Sequence, residues 1–310
     1  MENVVLPQYF KLLGYDLKPE FLDKYLKMPS LKRLQNICYF CGMDYASKEI
    51  YQFKEKVTRY DHSLTVALLT WHYTKDKKAT LAGLFHDIAT PCFSHVIDYM
   101  NKDYENQEST EEYTEAILQK DAYLKECLKQ DNIAIEEVIN FKKYSIVDND
   151  RPKLCADRLD GVILTGLYWI KNITIEEIEK VIKDIQIFIN EEGKEEIGFT
   201  TKEMAELVLK TSEEIDVYCH SNEDNYMMEL LASITREAIK NKIVSYEELY
   251  LLDEEELMKR LESSNHQNIK EKLTKFKTIK KEEIPIIKLD KVKPRKLNPL
   301  VNGIRRKEKG

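Results

Sequence analysis

One short segment carries the pattern that decides the fold: Leu81-Ala82-Gly83-Leu84-Phe85-His86-Asp87-Ile88-Ala89-Thr90-Pro91. Its apolar helical run ends abruptly in adjacent histidine and aspartate residues. Neutral imidazole and carboxylate are ligand types that suit borderline divalent cations. Neighbouring residues inside a helix point about 100° apart, but at a helix end, which Pro91 favours here, they can converge on one target. The alternative explanation of the pair is a helix C-terminus capped by a histidine.

Two further residues would complete a metal site. His62 stands at the start of a helical pattern, and Asp157 stands inside a later apolar helix. Together His62, His86, Asp87 and Asp157 would form a site with two imidazoles and two carboxylates. Mixed nitrogen and oxygen ligation without thiolate suits Fe, Mn, Co, Ni or Zn, with Mg as an additional candidate, and the sequence does not choose among them.

The ordered set of one histidine, a His-Asp pair and a later aspartate resembles the HD superfamily of metal-dependent phosphohydrolases. The flanking segments are similar to its deoxynucleoside-triphosphate triphosphohydrolase branch, namely Leu31 to Ile37, Arg59 to Val66, Phe93-Ser94-His95, and Asp157 to Asp160. The resemblance covers roughly residues 25 to 170, with looser similarity to about 265. It implies a mainly α-helical fold built on an HD-domain helical bundle.

Four residues are candidates for catalysis or substrate binding. His95 is predicted to protonate the leaving oxygen, as the resemblance implies for the matching histidine, and Asp98, on the same helical face, is predicted to orient it. Arg59 is a candidate both for catalysis and for contact with a substrate phosphate. Asp160 is a candidate for substrate contact, although support of Asp157 is favoured. The structural alternatives are an exposed position for Asp98 and a surface ion pair for Arg59.

Three positions depart from the triphosphohydrolase pattern. A further histidine usually stands where this chain has Thr90, a His-Glu pair where it has Gln107-Glu108, and an aromatic residue where it has Gly161. The metal centre is therefore expected to carry over more fully than the residues that hold the substrate. The prediction is a phosphohydrolase that acts on a nucleotide, first of all a deoxynucleoside triphosphate, by attack of a metal-activated water on phosphorus. The rival is a nucleotide-binding sensor with little turnover.

The composition also indicates whether the protein binds nucleic acid, crosses a membrane or forms disulfides. The 310-residue chain has a formal net charge of −7, which argues against general nucleic-acid binding. No apolar run approaches the ~20 residues needed to cross a bilayer, and the chain is predicted to be cytoplasmic with no membrane partner. Six cysteines in a chain of this length indicate free thiols, and Cys38-x-x-Cys41 is interpreted as packing. The resemblance suggests a homo-oligomer.

Apolar spacing predicts the helices that carry the candidate site. They run over Ser30–Phe40, His62–Tyr73, Ala79–Asp87 and Ser94–Met100, and a further helix begins at Pro152 and holds Asp157. Asp61 is the predicted N-cap of the second of these helices.

The predicted organisation has three parts. Residues 1–170 form the HD-domain core with N-terminal helices, residues 171–270 a helical extension with a small β-hairpin near 185–200, and residues 271–310 a basic C-terminal segment. β-Branched and aromatic residues around a Gly-bearing loop predict the hairpin. Residues 275–289 alternate enough to predict short strands. From Lys291 onward, prolines and positive charge predict an extended, solvated tail, with a nucleic-acid contact as the less favoured alternative.

Overall fold

The computed structural model describes residues 6–105, 107, 109–289 and 292–306, and these form a mainly α-helical fold, as predicted. The helices are α1 (Leu6–Leu12), α2 (Leu22–Tyr25), α3 (Pro29–Arg33), α4 (Arg59–Thr74), α5 (Lys77–Phe85), α6 (Val96–Asn101), α7 (Thr114–Lys120), α8 (Ala122–Gln130), α9 (Glu136–Ile139), α10 (Ala156–Thr165), α11 (Ile175–Asp184), α12 (Lys202–Cys219), α13 (Asn222–Lys240), α14 (Glu254–Ser263) and α15 (Gln267–Thr278). The strands are β1 (Ile185–Ile189), β2 (Glu195–Phe199), β3 (Leu300–Val301) and β4 (Ile304–Arg305).

Helices α4 and α5 form the buried pair at the centre of the fold. The prediction of Asp61 as N-cap of α4 is wrong, because the helix begins earlier. Thr58 is the N-cap, its hydroxyl accepts from the Asp61 amide at 3.2 Å, and the Asp61 carboxylate accepts from the Thr58 amide at 2.8 Å. A Cβ added at Gly83 would lie 3.3 Å from Thr70 Oγ1, so glycine permits α5 to approach α4 closely.

Helix α3 is shorter than its predicted span of Ser30–Phe40. It begins at Pro29, whose missing amide proton suits the first helical turn, and it ends at Arg33. A 3₁₀ turn over Leu34–Asn36 follows, and Ile37 is already extended. Helix α10 crosses α4 and buries Leu159 and Ile163 completely, which places its first turn against the start of α4.

The small sheet confirms the predicted hairpin and adds two short C-terminal strands. β1 and β2 are antiparallel, with Ile185 opposite Phe199, while β3 pairs in parallel with β2 and antiparallel with β4. The strands predicted within residues 275–289 are wrong. Residues up to Thr278 belong to α15, because Ile269, Leu273 and Phe276 recur at helical spacing and are buried.

The C-terminal segment, defined here as residues 292–306, packs against the core, whereas the sequence predicted a solvated tail. The Lys293 amide donates to the Tyr104 carbonyl at 2.9 Å, and the Asn298 amide donates to the Pro152 carbonyl at 2.8 Å. Leu300 on β3 is buried. Periodicity could not reveal this packing, because its backbone partners are far away in the sequence.

Two expectations from composition concern cysteines and membranes. All six cysteines are free thiols, as predicted. Throughout the described part of the chain, every helix is too short or too polar to cross a bilayer.

Candidate metal centre

Side chains from α4, α10 and the end of α5 converge on one point of a cavity. His62 Nε2 lies 3.1 Å from Asp157 Oδ1 and 3.2 Å from His86 Nε2, and His86 Nε2 lies 3.5 Å from Asp157 Oδ1. Each of these two nitrogens is 3.8 Å from an oxygen of Asp87. Two ligand atoms at right angles, each ~2.1 Å from one ion, would be roughly 3 Å apart. The ligand atoms of His62, His86 and Asp87 lie close enough together to hold one cation, and Asp157 lies beside the two imidazoles.

Hydrogen bonds on the outer nitrogens orient both imidazoles. His62 Nδ1 donates to Asp160 Oδ2 at 2.7 Å, and His86 Nδ1 donates to the Gly83 carbonyl at 2.7 Å. A carboxylate and a carbonyl only accept, so each histidine carries a proton on Nδ1, and Nε2 is the nitrogen that could ligate a cation after losing its own proton. Such bonds behind the ligands fix ring orientation and raise ligand basicity.

Asp160 lies behind the cluster and is completely buried. Its Oδ1 accepts from the Tyr9 hydroxyl at 2.6 Å, and its Oδ2 accepts from the Thr65 hydroxyl at 2.8 Å as well as from His62. This placement favours support of the metal site over the predicted contact with substrate. Sequence reasoning missed Tyr9, which is 151 residues from Asp160 and lies in a segment without a chemical motif.

Arg59 holds Asp87 rather than a surface acid. Its Nη1 donates to Asp87 Oδ2 at 2.9 Å, its Nε donates to Ser94 Oγ at 3.1 Å, and its guanidinium carbon lies 5.0 Å from the centre of the Tyr39 ring. The side chain is buried but borders the cavity. Arg59 therefore holds the carboxylate of Asp87 in place at the edge of the cavity.

The side chains of this cluster strongly shift one another's pKa values. Burial opposes a charge on His62, but hydrogen bonds to Asp157 and Asp160 outweigh it and raise the pKa of His62 to about 10. Burial also opposes ionisation of Asp87, but the charges of His86 and Arg59 hold the pKa of that carboxyl well below its usual range. A metal-bound imidazole must be neutral, so cation binding here would release a proton.

His95 of the predicted catalytic pair borders the same cavity, and Asp98 lies behind it. His95 Nδ1 is 2.9 Å from Asp98 Oδ2, and Asp98 Oδ1 accepts from the Ser109 amide at 3.1 Å. Asp98 is completely buried, which contradicts the alternative of an exposed helix residue. Just before α6, Phe93 and Ser94 have φ values of 65° and 48°, and the Phe93 amide donates to Glu254 Oε1 at 2.9 Å. These contacts set the direction of His95.

The three positions at which this chain departs from the triphosphohydrolase pattern, Thr90, Gln107 and Gly161, lie in different surroundings. Thr90 is buried, and its hydroxyl lacks a hydrogen-bond partner among the described residues. Gln107 borders the cavity. An ideal Cβ on Gly161 would lie 3.4 Å from the Tyr39 hydroxyl, so Tyr39 fills the space beside Gly161. The ring of Tyr39 also lies 5.1 Å from that of His62, which places an aromatic group at the metal centre from another part of the chain.

The cavity has a volume of about 920 Å³ and combines aromatic and basic walls. Phe40 and Phe53 stack with ring centres 4.3 Å apart, and the Trp169 ring lies 6.1 Å from each of them. The basic residues that border it are Arg59, Lys142, Lys143, Arg151, Lys153, Arg158, Lys194, Lys293 and Arg295. Apart from Arg59, none of these was proposed from the sequence. Arg158 lies on α10, and the others come from a 3₁₀ turn, loops and the C-terminal segment.

A second group of potential ligands, Asp148, Cys155 and Asp157, is also close enough to hold an ion. Asp148 Oδ1 already pairs with Arg158 Nη1 at 3.1 Å. The Cys155 thiol is buried, and burial raises its pKa to about 12, so it is protonated near neutral pH. This group is therefore a weaker cation site than the His/Asp cluster.

Comparisons with known proteins agree with this geometry. Residues 59–162 match the family model described as the HD domain. The chain is 27% identical over 247 residues to the uncharacterized protein YdhJ of Bacillus subtilis, covering 76% of this chain and 69% of that protein. It is 27% identical over 180 residues to the metal-dependent phosphohydrolase cns2 of Cordyceps militaris, covering 57% of this chain and half of that protein. These similarities support the HD superfamily and a metal-dependent hydrolase.

Proposed function

We propose that this protein is a metal-dependent phosphohydrolase that acts on a nucleotide, with a deoxynucleoside triphosphate as the first candidate. The observation that carries the proposal is the convergence of His62, His86, Asp87 and Asp157 within a large cavity. A cation bound by these residues would lower the pKa of its water toward ~7 and stabilise charge on phosphoryl oxygens.

The side chains around the cluster supply the remaining steps. His95 donates its Nδ1 proton to Asp98, so Nε2 is the nitrogen that exchanges a proton with the leaving oxygen. Arg59 keeps Asp87 in place through a charge-assisted hydrogen bond. Asp160 keeps His62 in the tautomer that ligates through Nε2.

The cavity walls support a nucleotide as the substrate. Aromatic side chains at the wall, including Phe53 and Trp169, offer flat surfaces on which a base can stack. The basic residues that lack protein partners offer donors for phosphate oxygens. An apolar wall next to a cationic wall matches a ligand with a base at one end and phosphates at the other.

A panel of nucleoside mono-, di- and triphosphates, assayed with Mn, Co, Fe and Mg, tests this function. The protein is expected to release phosphate, pyrophosphate or triphosphate from at least one substrate, and Asp87→Ala is expected to reduce both activity and bound metal to background. Asp23→Ala is the matched control, because Asp23 is exposed and pairs with Lys18 far from the cavity. Turnover that survives in Asp87→Ala would contradict the proposal.

A nucleotide sensor is the second candidate, motivated by Thr90 and Gln107 at positions where the resembled branch has histidines. The same panel separates the two functions. Tight, metal-dependent nucleotide binding without product formation under every metal would support the sensor.

A further inference from the structure

The C-terminal segment forms part of the cavity wall and carries Arg295 into it. The Arg295 amide donates to Asp216 Oδ1 at 2.9 Å, and its carbonyl accepts from Ser212 Oγ at 3.4 Å. The backbone bond from Asn298 to the carbonyl of Pro152 ties this segment to the loop that contains Arg151. Two arginines from distant parts of the sequence therefore border the same cavity.

These two arginines differ from Arg158 and Lys153 of the same cavity, which have protein partners. Arg158 pairs with Asp148 at 3.1 Å, and Lys153 pairs with Glu192 at 2.5 Å. Within residues 6–105, 107, 109–289 and 292–306, the guanidinium groups of Arg151 and Arg295 take part in no hydrogen bond or ion pair. Both side chains are only partly accessible. A partly buried guanidinium without a partner has five donors available for a ligand.

The two guanidinium groups also repel each other. Burial, together with the charges of Arg295 and Arg158, lowers the pKa of Arg151 to about 10. The group remains charged at neutral pH, but an anion would relieve the accumulated positive charge. Nine basic side chains border this cavity against seven acidic ones, and an excess of cations around a cavity favours anion binding.

Among the described residues, no acidic side chain near Arg295 forms an ion pair with its guanidinium group. Its neighbours with acidic protons are Cys219, Cys41, Tyr99 and Asp224. Burial raises the pKa of Cys219 to about 12 and raises those of Cys41 and Tyr99 above their usual values, so these three are neutral at pH 7. Burial also raises the pKa of Asp224, to about 6, so Asp224 is ionised at pH 7, and Asp157 is the carboxylate that acts on Arg151.

We propose that Arg151 and Arg295 form a second anion subsite, which binds a phosphate of the substrate other than the one at the metal centre. The inference rests on the proposed function. Planar guanidinium forks match the oxygens of a phosphate and bind it through charge-assisted hydrogen bonds. The subsite selects substrates that carry two or more phosphate groups over monophosphates.

Calorimetric titration with methylenediphosphonate, a pyrophosphate analogue that is not hydrolysed, tests the subsite in the full-length protein. The titration is run on the protein as purified and again in the presence of EDTA, because the two arginines need no metal to bind an anion. Arg295→Gln and Arg151→Gln are each expected to raise the Kd about tenfold or more under both conditions. Arg306→Gln is the matched control, because Arg306 is exposed in the same segment and pairs with Glu206.

The outcomes separate this proposal from the proposed function. Equal affinity in the wild-type, Arg295→Gln and Arg151→Gln proteins would overturn the subsite, as would no binding by the wild type. Diphosphonate binding that depends on both arginines and survives EDTA would support it, whether or not the metal-loaded protein hydrolyses nucleotides. Thermal unfolding of each variant identifies any loss of binding that comes from misfolding, in which case Arg295→Lys replaces the glutamine variant and is expected to retain intermediate affinity.

Discussion

The cluster of proposed metal ligands and the wall formed by the C-terminal segment, called the C-terminal wall here, border the same cavity but are positioned by different kinds of structure. The proposed ligands His62 and Asp157 stand in the first turns of α4 and α10, and His86 and Asp87 follow α5 directly. The C-terminal wall is an extended segment that depends on backbone bonds to distant residues. Packed helices hold the proposed ligands in place, whereas Arg295 is held by the C-terminal segment, which runs across the surface of the core.

This difference separates the chemical part of the site from the part proposed to recognise substrate. Each ligand histidine has a second hydrogen bond behind it, which holds its ring in one orientation. Arg151 and Arg295 have long, flexible side chains without protein partners, and these can adjust to a ligand. Changes at the cluster should therefore affect turnover and bound metal, while changes at the wall should affect substrate affinity.

The largest effect after loss of a ligand is expected at His95. His95→Ala removes the proposed acid, and general acid catalysis contributes typically 10²–10⁴-fold, so kcat should fall by about that factor while KM changes little. Asp98→Asn should cause a smaller fall, because asparagine can still contact the imidazole. Steady-state kinetics on the substrate identified by the nucleotide panel measures both values.

His72→Ala is the matched control for this prediction, because His72 is exposed on α4 and outside the cavity. A change in KM alone for His95→Ala would assign His95 to substrate binding. An equal fall in kcat for His72→Ala would indicate a general effect of histidine loss on the fold.

Substitution of Asp160 tests how far the helices preorganise the cluster. Asp160→Asn is expected to weaken metal binding by roughly 10–100-fold, the usual cost of removing a partner behind a ligand. Tyr9→Phe removes only one hydrogen bond to Asp160 and should cost about 1 kcal/mol of unfolding free energy with a smaller effect on affinity. Metal titration and denaturant unfolding measure the two quantities. If Asp160→Asn left metal affinity unchanged but raised KM, Asp160 would act on substrate instead.

The contrast explains which parts of the site could be predicted from sequence. His86 and Asp87 are adjacent at a helix end, and their chemistry is visible in the sequence without knowledge of packing. Tyr9 and Arg295 act at the site only because α1 and the C-terminal segment fold back across the core. The sequence around Tyr9 and around Arg295 contains no local pattern that predicts these contacts. The strand prediction over residues 275–289 is wrong for a different reason, because the helical spacing of Ile269, Leu273 and Phe276 begins before that window and their side chains are buried in the core.

A substitution in the sheet should disturb the C-terminal wall and leave the cluster intact. A Cβ on Gly198 would lie 2.8 Å from the Leu300 carbonyl oxygen and 2.9 Å from its Cβ, so Gly198→Ala should push β3 away from β2. We expect a loss of about 1–3 kcal/mol in unfolding free energy and weaker diphosphonate binding, with unchanged metal content. Ile189→Ala, at an exposed position of β1, is the control. Loss of metal in Gly198→Ala would show that the two regions are not independent.

The smallest expected effect concerns Glu254, which supports the loop before His95. Its Oε1 accepts from the Phe93 amide at 2.9 Å, and its Oε2 is buried without a hydrogen-bond partner among the described residues. Burial raises the pKa of Glu254 to about 7, against ~4.3 for an unfolded chain. The folded protein therefore keeps a proton that the unfolded chain loses, and this group lowers stability as the pH rises from about 4.3 to about 7.

Glu254→Gln should remove that pH dependence while keeping an acceptor for the Phe93 amide. The Tm of the variant relative to the wild type should therefore be higher at pH 8 than at pH 5, by a few degrees, because 1 kcal/mol shifts the Tm of a large domain by roughly 2–4 °C. Glu255→Gln, at the exposed neighbouring position, should show no such difference. A Tm difference between Glu254→Gln and wild type that stayed constant from pH 5 to pH 8 would mean that the buried carboxyl ionises at its ordinary pH. Its hydrogen bond to Phe93 would then outweigh the cost of burial.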